Sequence, residues 1–201
     1  MRLLIVDDDL LIQHSLKKFL SKQEGVDVVG TASDGAEAIE MCEKFILDAV
    51  LMDIRMPGMD GISATSLIKK RFPDIRIMML TTFDDGPNIK QALAAGADGY
   101  LLKTEKIPKI LDKLHVMMDG SSILGADLLK KITTNENPAL KTLTPREMEI
   151  TRLIAQGLTN KEIANQLFLS EGTVRNNAVV IMEKLNVTNR TQLGLTYYGS
   201  I

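Results

Sequence analysis

Short apolar runs alternate with amphipathic stretches over the first 118 residues of the chain. The runs are continuous and bounded by polar or turn residues, which is typical of strands buried on both faces of a parallel sheet. Strands are predicted at 3–6, 26–31, 49–52, 75–80 and 99–102, and helices near 10–22, 35–45, 61–71, 87–95 and 106–118. Five strand–helix units predict a doubly wound α/β domain, 1–118, with a five-stranded parallel sheet in the order 2-1-3-4-5.

The pattern changes after residue 118. A linker is predicted at 119–142, where an apolar stripe allows one short helix before the polar, turn-forming run 133–138. Residues 143–201 lack a strand pattern and predict an all-α domain of four short helices. Thr144, Thr159 and Ser170 are placed to cap three of these helices. Two short capped helices across a brief turn form a helix-turn-helix.

Polar side chains follow four of the predicted strands. Asp7 and Asp8 follow the first, Asp53 the third, Thr81 the fourth and Lys103 the fifth. The carboxyl ends of parallel strands meet at one edge of the sheet, where ligands bind in such folds. Crowded carboxylates repel one another unless a cation lies among them, and oxygen ligands suit Mg²⁺. A carboxylate beside Mg²⁺ is a good phosphoryl acceptor, so the pattern predicts a protein switched by phosphorylation of an aspartate.

Each of these residues also has an ordinary structural interpretation when it is taken alone. Asp7 and Asp8 can end a strand, Thr81 can be a β-branched strand residue, and Lys103 can be a solvated surface lysine. For Asp9, which adds a further carboxylate, a helix cap is the favoured interpretation. The convergence of the other residues on one edge favours the functional interpretation.

Composition and charge narrow the class of protein. The hydrophobic content of 45% lets each part bury a core, and apolar stretches stay below membrane-spanning length. We also expect no signal peptide, because the first residues predict a strand. Cys42 is the single cysteine and lies on an apolar helical stripe, so we expect it in the core. We therefore expect a soluble cytoplasmic protein without a membrane partner. Residues 1–125 hold 15 basic and 19 acidic residues and residues 139–201 hold 7 and 5, which suits a regulator joined to a nucleic-acid binder.

The first domain resembles the receiver domains of two-component signalling. The matching motifs are Val6-Asp7-Asp8, Asp53 through Gly61, Leu80-Thr81 and Gly99 through Lys103. The resemblance implies that Asp53 accepts a phosphoryl group from a phosphohistidine of a sensor histidine kinase. It also implies that Asp8, Asp53 and the backbone carbonyl of Arg55 ligate Mg²⁺, with Asp7 nearby. By the same resemblance, Thr81 and Lys103 bind phosphoryl oxygens, and Thr81 forms a switch pair with Tyr100. Such a domain is a phosphoacceptor with at most slow self-dephosphorylation, not an enzyme.

The second domain resembles the LuxR-type helix-turn-helix domains. The motifs are Leu143 through Glu147, Leu153 through Ala164, Leu169 through Arg175 and Lys184 through Gln192. A receiver followed by this domain is the layout of NarL/FixJ-family response regulators. The resemblance implies a transcription factor that binds double-stranded DNA, with phosphorylation gating a homodimer, and RNA polymerase is a further candidate partner.

Recognition is expected on the third helix of this domain, whose N-terminal half enters the major groove in such motifs. Arg175 and Asn176 can reach base edges or phosphates, and candidates for contacts to the DNA backbone are Lys161, Ser170, Thr173, Lys184 and Arg190. The chain departs from its family at two positions. Asn177 replaces a common histidine, and Val179 stands where a lysine frequently contacts DNA. Val179 can instead touch a thymine methyl, so base preference does not transfer from relatives.

Two apolar stripes are candidate dimer surfaces, with core packing as the rival explanation for each. One is the helix near 106–118 (Ile110, Leu114, Met117, Met118) and the other is the last helix (Leu193, Leu195, Tyr197). Two other functions stay open at this point. One is a DNA-binding protein whose receiver is not phosphorylated, and the other is an enzyme on the same topology, such as an aspartate-based phosphatase or a flavin protein.

Overall fold

The computed structural model describes residues 1–81, 86–119 and 138–199. The chain divides into two compact units, Met1–Met118 and Asp119–Ile201, and each is described by itself. In the described parts of both units, every helix is too short or too polar to cross a membrane. The predicted linker helix falls on residues 120–137, outside the described ranges.

The first unit is built on a five-stranded parallel sheet. Its strands are β1 Arg2–Val6, β2 Asp27–Ala32, β3 Ala49–Asp53, β4 Arg76–Thr81 and β5 Gly99–Leu102. Their order is β2-β1-β3-β4-β5, with every neighbouring pair parallel, which confirms the predicted sheet. β3 is buried along its whole length. Side chains on both faces of this strand are buried, and this is why residues 49–52 form a continuous apolar run.

Five helices accompany the strands. They are α1 Leu10–Leu20, α2 Gly35–Lys44, α3 Gly61–Arg71, α4 Gly86–Ala94 and α5 Ile107–Met118. Asp9, Asp34 and Asp60 cap the first three, each accepting from a first-turn amide. The expectation that Asp9 is a cap is therefore confirmed. The caps start α1 and α3 close behind the ends of β1 and β3, at the edge of the sheet where the candidate carboxylates lie.

The apolar stripe of α5 packs into the core of the first unit. Ile110, Leu114 and Met117 are almost fully buried, and Met118 is half-buried. The expectation that this stripe forms a dimer surface is wrong for the three buried residues, because the sheet side of the unit already covers them. Cys42 also lies in the core, and burial raises the pKa of its thiol to about 11. A protonated, buried thiol packs as a small apolar group.

The second unit is all-α, as predicted. A short 3₁₀ helix, Pro138–Thr142, precedes α6 Pro145–Ala155, α7 Asn160–Leu167, α8 Glu171–Lys184 and α9 Arg190–Tyr197. Thr144 with Glu147, and Thr159 with Glu162, form two complete capping boxes, and the Ser170 hydroxyl caps α8. Gly157 follows α6 with a φ of 83°, the left-handed conformation that ends a helix at little cost for glycine.

One apolar core holds these four helices together. Its members include Ile150, Ile154, Ile163, Val174, Ile181 and Leu193. Leu193 and Leu195 are buried in this unit, so the expectation that they form a dimer surface is also wrong, whereas Tyr197 is half-buried. The turn between α7 and α8 passes through Phe168 in the left-handed conformation, and the two helices form the predicted helix-turn-helix.

Candidate functional site

Three carboxylates meet at the carboxyl edge of the sheet. Asp53 is the last residue of β3, and Asp7 and Asp8 directly follow β1. Their carboxylate oxygens lie within 4.8 Å of one another. Asp7 is 1% exposed and Asp53 5%, whereas Asp8 is open to solvent. A hard cation can therefore contact one oxygen of each residue while water completes its shell from the side of Asp8.

The ammonium of Lys103 lies between two of these carboxylates. Lys103 follows β5, and its Nζ is 2.7 Å from Asp7 Oδ2 and 3.0 Å from Asp53 Oδ2. Burial alone would lower the pKa of Lys103, but the hydrogen bonds to Asp7 and Asp53 outweigh it and leave the pKa raised. The lysine is thus held in its charged form and offsets part of the repulsion between the two buried carboxylates.

Asp53 is a desolvated carboxylate. Its Oδ1 accepts a hydrogen bond of 2.8 Å from the amide of Ile54. Burial raises the pKa of Asp53, and the opposing effect of Lys103 does not cancel it. The site therefore favours added positive charge beside Asp53, which fits the donor set of a Mg²⁺ site.

An open cleft lies beside Asp8, the exposed carboxylate of the cluster. It has a volume of about 600 Å³, and its lining includes Asp8, Arg55, Pro57 and Asn88. Arg55 is exposed, two residues beyond Asp53. The loop that carries Arg55 therefore faces the same open space as Asp8, which gives small ligands access to the site.

Gly61 fixes the loop that follows Asp53. A Cβ atom at this position would lie 1.9 Å from the carbonyl oxygen of Asp53, so only glycine fits. The Gly61 amide also donates a hydrogen bond of 2.9 Å to the carbonyl of Ile54. These contacts place the start of α3 directly against the backbone of the candidate acceptor.

Thr81 lies on β4, the strand next to the acceptor strand β3, and Tyr100 lies on β5, one strand further out. Thr81 ends β4 and pairs with Leu102 of β5, and its carbonyl accepts a hydrogen bond of 2.6 Å from the amide of Lys103. Tyr100 is on β5. Both side chains are buried. The sheet thus places Thr81 next to Lys103 at the edge that holds Asp53.

Gln13 was not identified from the sequence as part of this site. Its buried amide donates to the backbone carbonyl of Asp7 and, at 3.0 Å, to the carbonyl of Ala32. Gln13 therefore ties α1 to the ends of β1 and β2 directly beneath Asp7. The sequence pattern that could have identified Gln13 is a polar residue on the same face of α1 as the buried Leu16 and Leu20.

The second unit presents an exposed helix face. On α8, Arg175, Asn176 and Val179 are exposed, and Lys161 is exposed at the second position of α7. Ser170 and Thr173 are exposed at the start of α8, where their hydroxyls lie 2.8 Å apart. These six candidate DNA contacts are all accessible to a ligand.

Lys184 and Arg190 have partners inside the unit. Lys184 Nζ lies 2.6 Å from Glu147 Oε1. The pKa of Glu147 is lowered by the hydrogen bond from Lys184 first, and then by the amide of Thr144. This ion pair joins the end of α8 to the start of α6, and Lys184 stays exposed, so its contact with the DNA backbone remains a prediction.

Arg190 is 7% exposed and donates to Asn160 Oδ1 at 2.7 Å and to the carbonyl of Leu158 at 2.8 Å. Burial lowers its pKa to about 10, so the guanidinium stays charged at neutral pH. The expectation that Arg190 contacts DNA is corrected, because its side chain holds the start of α7 from inside the unit.

Comparison with known proteins agrees with this architecture. Residues 3–115 match the response regulator receiver domain, and residues 141–196 match the bacterial regulatory proteins of the luxR family. The chain is 39% identical to the transcriptional regulatory protein LiaR of Bacillus subtilis, with 95% of this chain and 93% of LiaR covered. It is 38% identical to LnrK of the same organism, with 96% and 94% covered. A solved structure of two RcsB dimers bound to two parallel DNAs matches with a TM-score of 0.61 and 29% identity, covering 100% of this chain and 98% of that chain.

Proposed function

Because this chain belongs to the two-component response regulators that join a receiver domain to a LuxR-type DNA-binding domain, we propose that it is switched at Asp53. In this proposal Asp53 accepts a phosphoryl group from a sensor histidine kinase in a Mg²⁺-dependent reaction. The modification gates homodimer formation and sequence-specific binding to double-stranded DNA, and so regulates transcription. The observation that carries the proposal is the cluster of Asp7, Asp8 and Asp53 with Lys103 at one sheet edge.

Transfer joins a carboxylate oxygen of Asp53 to phosphorus while the bond from phosphorus to the histidine nitrogen breaks, and the electron pair returns to the imidazole. Asp7, Asp8 and Asp53 would hold Mg²⁺ with the carbonyl of Arg55, and when bound the ion would supply positive charge for the phosphoryl oxygens. Lys103 is already charged beside Asp53 and can turn its ammonium from the carboxylate to a phosphoryl oxygen. Thr81, at the end of the neighbouring strand, offers a hydroxyl to another.

In this proposal the protein is a phosphoacceptor rather than an enzyme. Each molecule is modified once at its own side chain, and slow self-dephosphorylation returns it to the starting state. Thr81 and Tyr100 would carry the change away from the site, because both are buried, Thr81 on the strand next to the acceptor strand and Tyr100 on the edge strand beyond it. A shift in their packing changes which conformations of the first unit are populated.

Support for DNA as the partner comes from the second unit. Its helix-turn-helix exposes one face of α8, and the related RcsB structure is described as dimers bound to DNA. One short recognition helix covers few base pairs, so two copies on paired half-sites give more useful specificity.

Phosphotransfer from radiolabelled acetyl phosphate, or from a labelled histidine kinase, tests the proposal. Asp53→Asn should remove labelling, and omission of Mg²⁺ should suppress it in the wild-type chain. Asp9→Asn is the matched control, since asparagine retains the capping of α1. Labelling of Asp53→Asn at the wild-type rate would overturn the assignment of the acceptor.

A further inference from the structure

The outward face of α8 carries an unusual set of side chains for a helix that binds DNA. Val174, Ala178 and Ile181 form its buried stripe. Asn176, Val179 and Val180 lie on the opposite side, and each valine is 44% exposed. Residues three and four apart are neighbours on a helix. Asn176 therefore forms one contiguous patch with the two valines.

Arg175 lies at the border of this patch rather than at its centre. Its neighbour three residues on is the buried Ala178, and the residue before it is the buried Val174. Its neighbour four residues on is the exposed Val179, so Arg175 stands between the buried stripe and the patch, and from this border its long, exposed side chain can reach a phosphate at the edge of a groove.

Asn177, at the position of the common histidine, turns back on its own helix. Its Nδ2 donates a hydrogen bond of 2.8 Å to the carbonyl of Thr173. The side chain is half-buried. Its amide donor is used within α8, which leaves Asn176 as the exposed amide on the outward face.

Several basic side chains around α8 already have partners within the second unit, which reduces the positive charge that they can offer to DNA phosphates. Lys184 is paired with Glu147, Arg190 is buried against Asn160, and Arg146 is paired with Glu149. A protein that neutralises fewer phosphates releases fewer counterions and gains less non-specific affinity. Contacts to the bases therefore carry a larger share of the affinity.

The side chains of the patch match the groups that an A·T base pair presents in the major groove. An asparagine amide matches the N6 and N7 groups of adenine, and apolar side chains contact the C5 methyl of thymine. Taking the DNA binding of the proposed function as given, we propose that α8 reads A·T-rich half-sites. Asn176 contacts adenine, Val179 and Val180 contact thymine methyls, and Arg175 holds a phosphate.

Selection from a randomised duplex library by the phosphorylated full-length chain gives the first test. The half-sites recovered should be rich in A·T pairs. Asn176→Ala should lose the preference for adenine at one position, where a matched amide contact discriminates by about 5- to 150-fold. Arg175→Ala should weaken binding to all sequences alike.

Replacing thymine by deoxyuridine in a selected duplex removes single methyl groups. Wild-type affinity should fall about fourfold for each contacted methyl, the effect of one buried group of that size. Val179→Ala and Val180→Ala should each weaken the effect of the replacement at one thymine, and the double variant should weaken it at both. Ile46→Ala removes another exposed β-branched side chain, in the first unit, and should respond as the wild type does.

The outcomes separate this inference from the function on which it rests. Phosphorylation-dependent binding to G·C-rich half-sites, or an equal deoxyuridine effect in wild type and valine variants, overturns the inference alone. Loss of dimers without a change in base preference in the valine variants also overturns it, since the patch would then be a protein contact. Failure to enrich any sequence overturns both the inference and the proposed DNA binding.

Discussion

The ammonium of Lys103 lies 3.0 Å from the carboxylate of Asp53, at the place where the proposed phosphoryl group forms. The same ammonium lies 2.7 Å from Asp7. One lysine therefore offsets part of the charge of two buried carboxylates before any ligand binds. In the proposed reaction it exchanges Asp53 for a phosphoryl oxygen, so the charge that stabilises the resting site also stabilises the product.

Lys103→Met should destabilise the first unit and make its stability depend on Mg²⁺. Removing one partner of a buried ion pair costs about 3–5 kcal/mol, because the carboxylates stay buried without a counter-charge. Mg²⁺ supplies that charge again, so it should raise the unfolding temperature of the variant more than that of the wild type.

Calorimetry with and without Mg²⁺ measures this difference. Lys113→Met is the control, because Lys113 pairs with Glu105 in a partly exposed position. An equal Mg²⁺ shift in Lys103→Met and wild type would show that the ion does not replace the lysine charge.

Asp8→Ala should weaken Mg²⁺ binding and slow phosphorylation while the acceptor stays in place. A hard cation loses one direct oxygen ligand, and Asp8 is the exposed member of the cluster. Isothermal titration with Mg²⁺ measures the affinity, with Asp9→Asn as the control. Wild-type affinity in Asp8→Ala would mean that the metal ligands are assigned wrongly.

The ion pair of Lys184 with Glu147 should stabilise the second unit at neutral pH, and this stabilisation should be lost in acid. The pKa of Glu147 is lowered in the folded state from an ordinary value of 4.5. The contribution of the carboxylate is therefore complete above about pH 4.5 and is lost as the pH falls through the lowered pKa.

Lys184→Met removes the largest cause of that shift. The variant should be less stable than the wild type at pH 7, and the difference should shrink in acid below pH 4.5. Chemical denaturation of both chains with Tyr100 replaced by Phe, so that the tyrosine fluorescence comes from Tyr197 and Tyr198, reports on this unit. A difference that stays constant from pH 7 to acid would contradict a contribution from the charged pair.

Arg190→Gln and Lys161→Gln should affect DNA binding in different ways. Arg190→Gln leaves the Leu158 carbonyl without its donor, at a cost of about 1–3 kcal/mol in stability, without changing the salt dependence of binding. Lys161 is exposed, so Lys161→Gln should keep the fold and reduce the salt slope by about 0.9 for one lost phosphate contact.

Fluorescence anisotropy at several salt concentrations, together with thermal unfolding, distinguishes the two effects. A reduced salt slope in Arg190→Gln with unchanged stability would restore the rejected role of Arg190 as a DNA contact.

The sheet and the placement of the acidic site followed from local sequence. Continuous apolar runs end at Asp7, Asp53, Thr81 and Lys103, and parallel strands bring their carboxyl ends together whatever the details of packing. Caps such as Thr144 were predictable because a cap and its helix are adjacent in sequence.

Roles that depend on distant partners were not predictable in this way. Arg190 meets Asn160 across 30 positions, and Lys184 meets Glu147 across 37. The local sequence around an arginine does not show whether its side chain is exposed or buried. For Arg190 the packing of α9 on the other helices decides this. The same limit applies to Leu114 and Leu193. An apolar stripe predicts that these residues are buried, but not whether they pack into the core of their own unit or against a second chain.

Light scattering of the full-length chain on DNA with two half-sites about 10 base pairs apart, before and after phosphorylation, tests the central claim most directly. We expect a monomer with weak binding before phosphorylation and a dimer on specific DNA afterwards, with Asp53→Asn unresponsive. A monomer on specific DNA in both states, or an equal response from Asp53→Asn, would contradict a switch at Asp53.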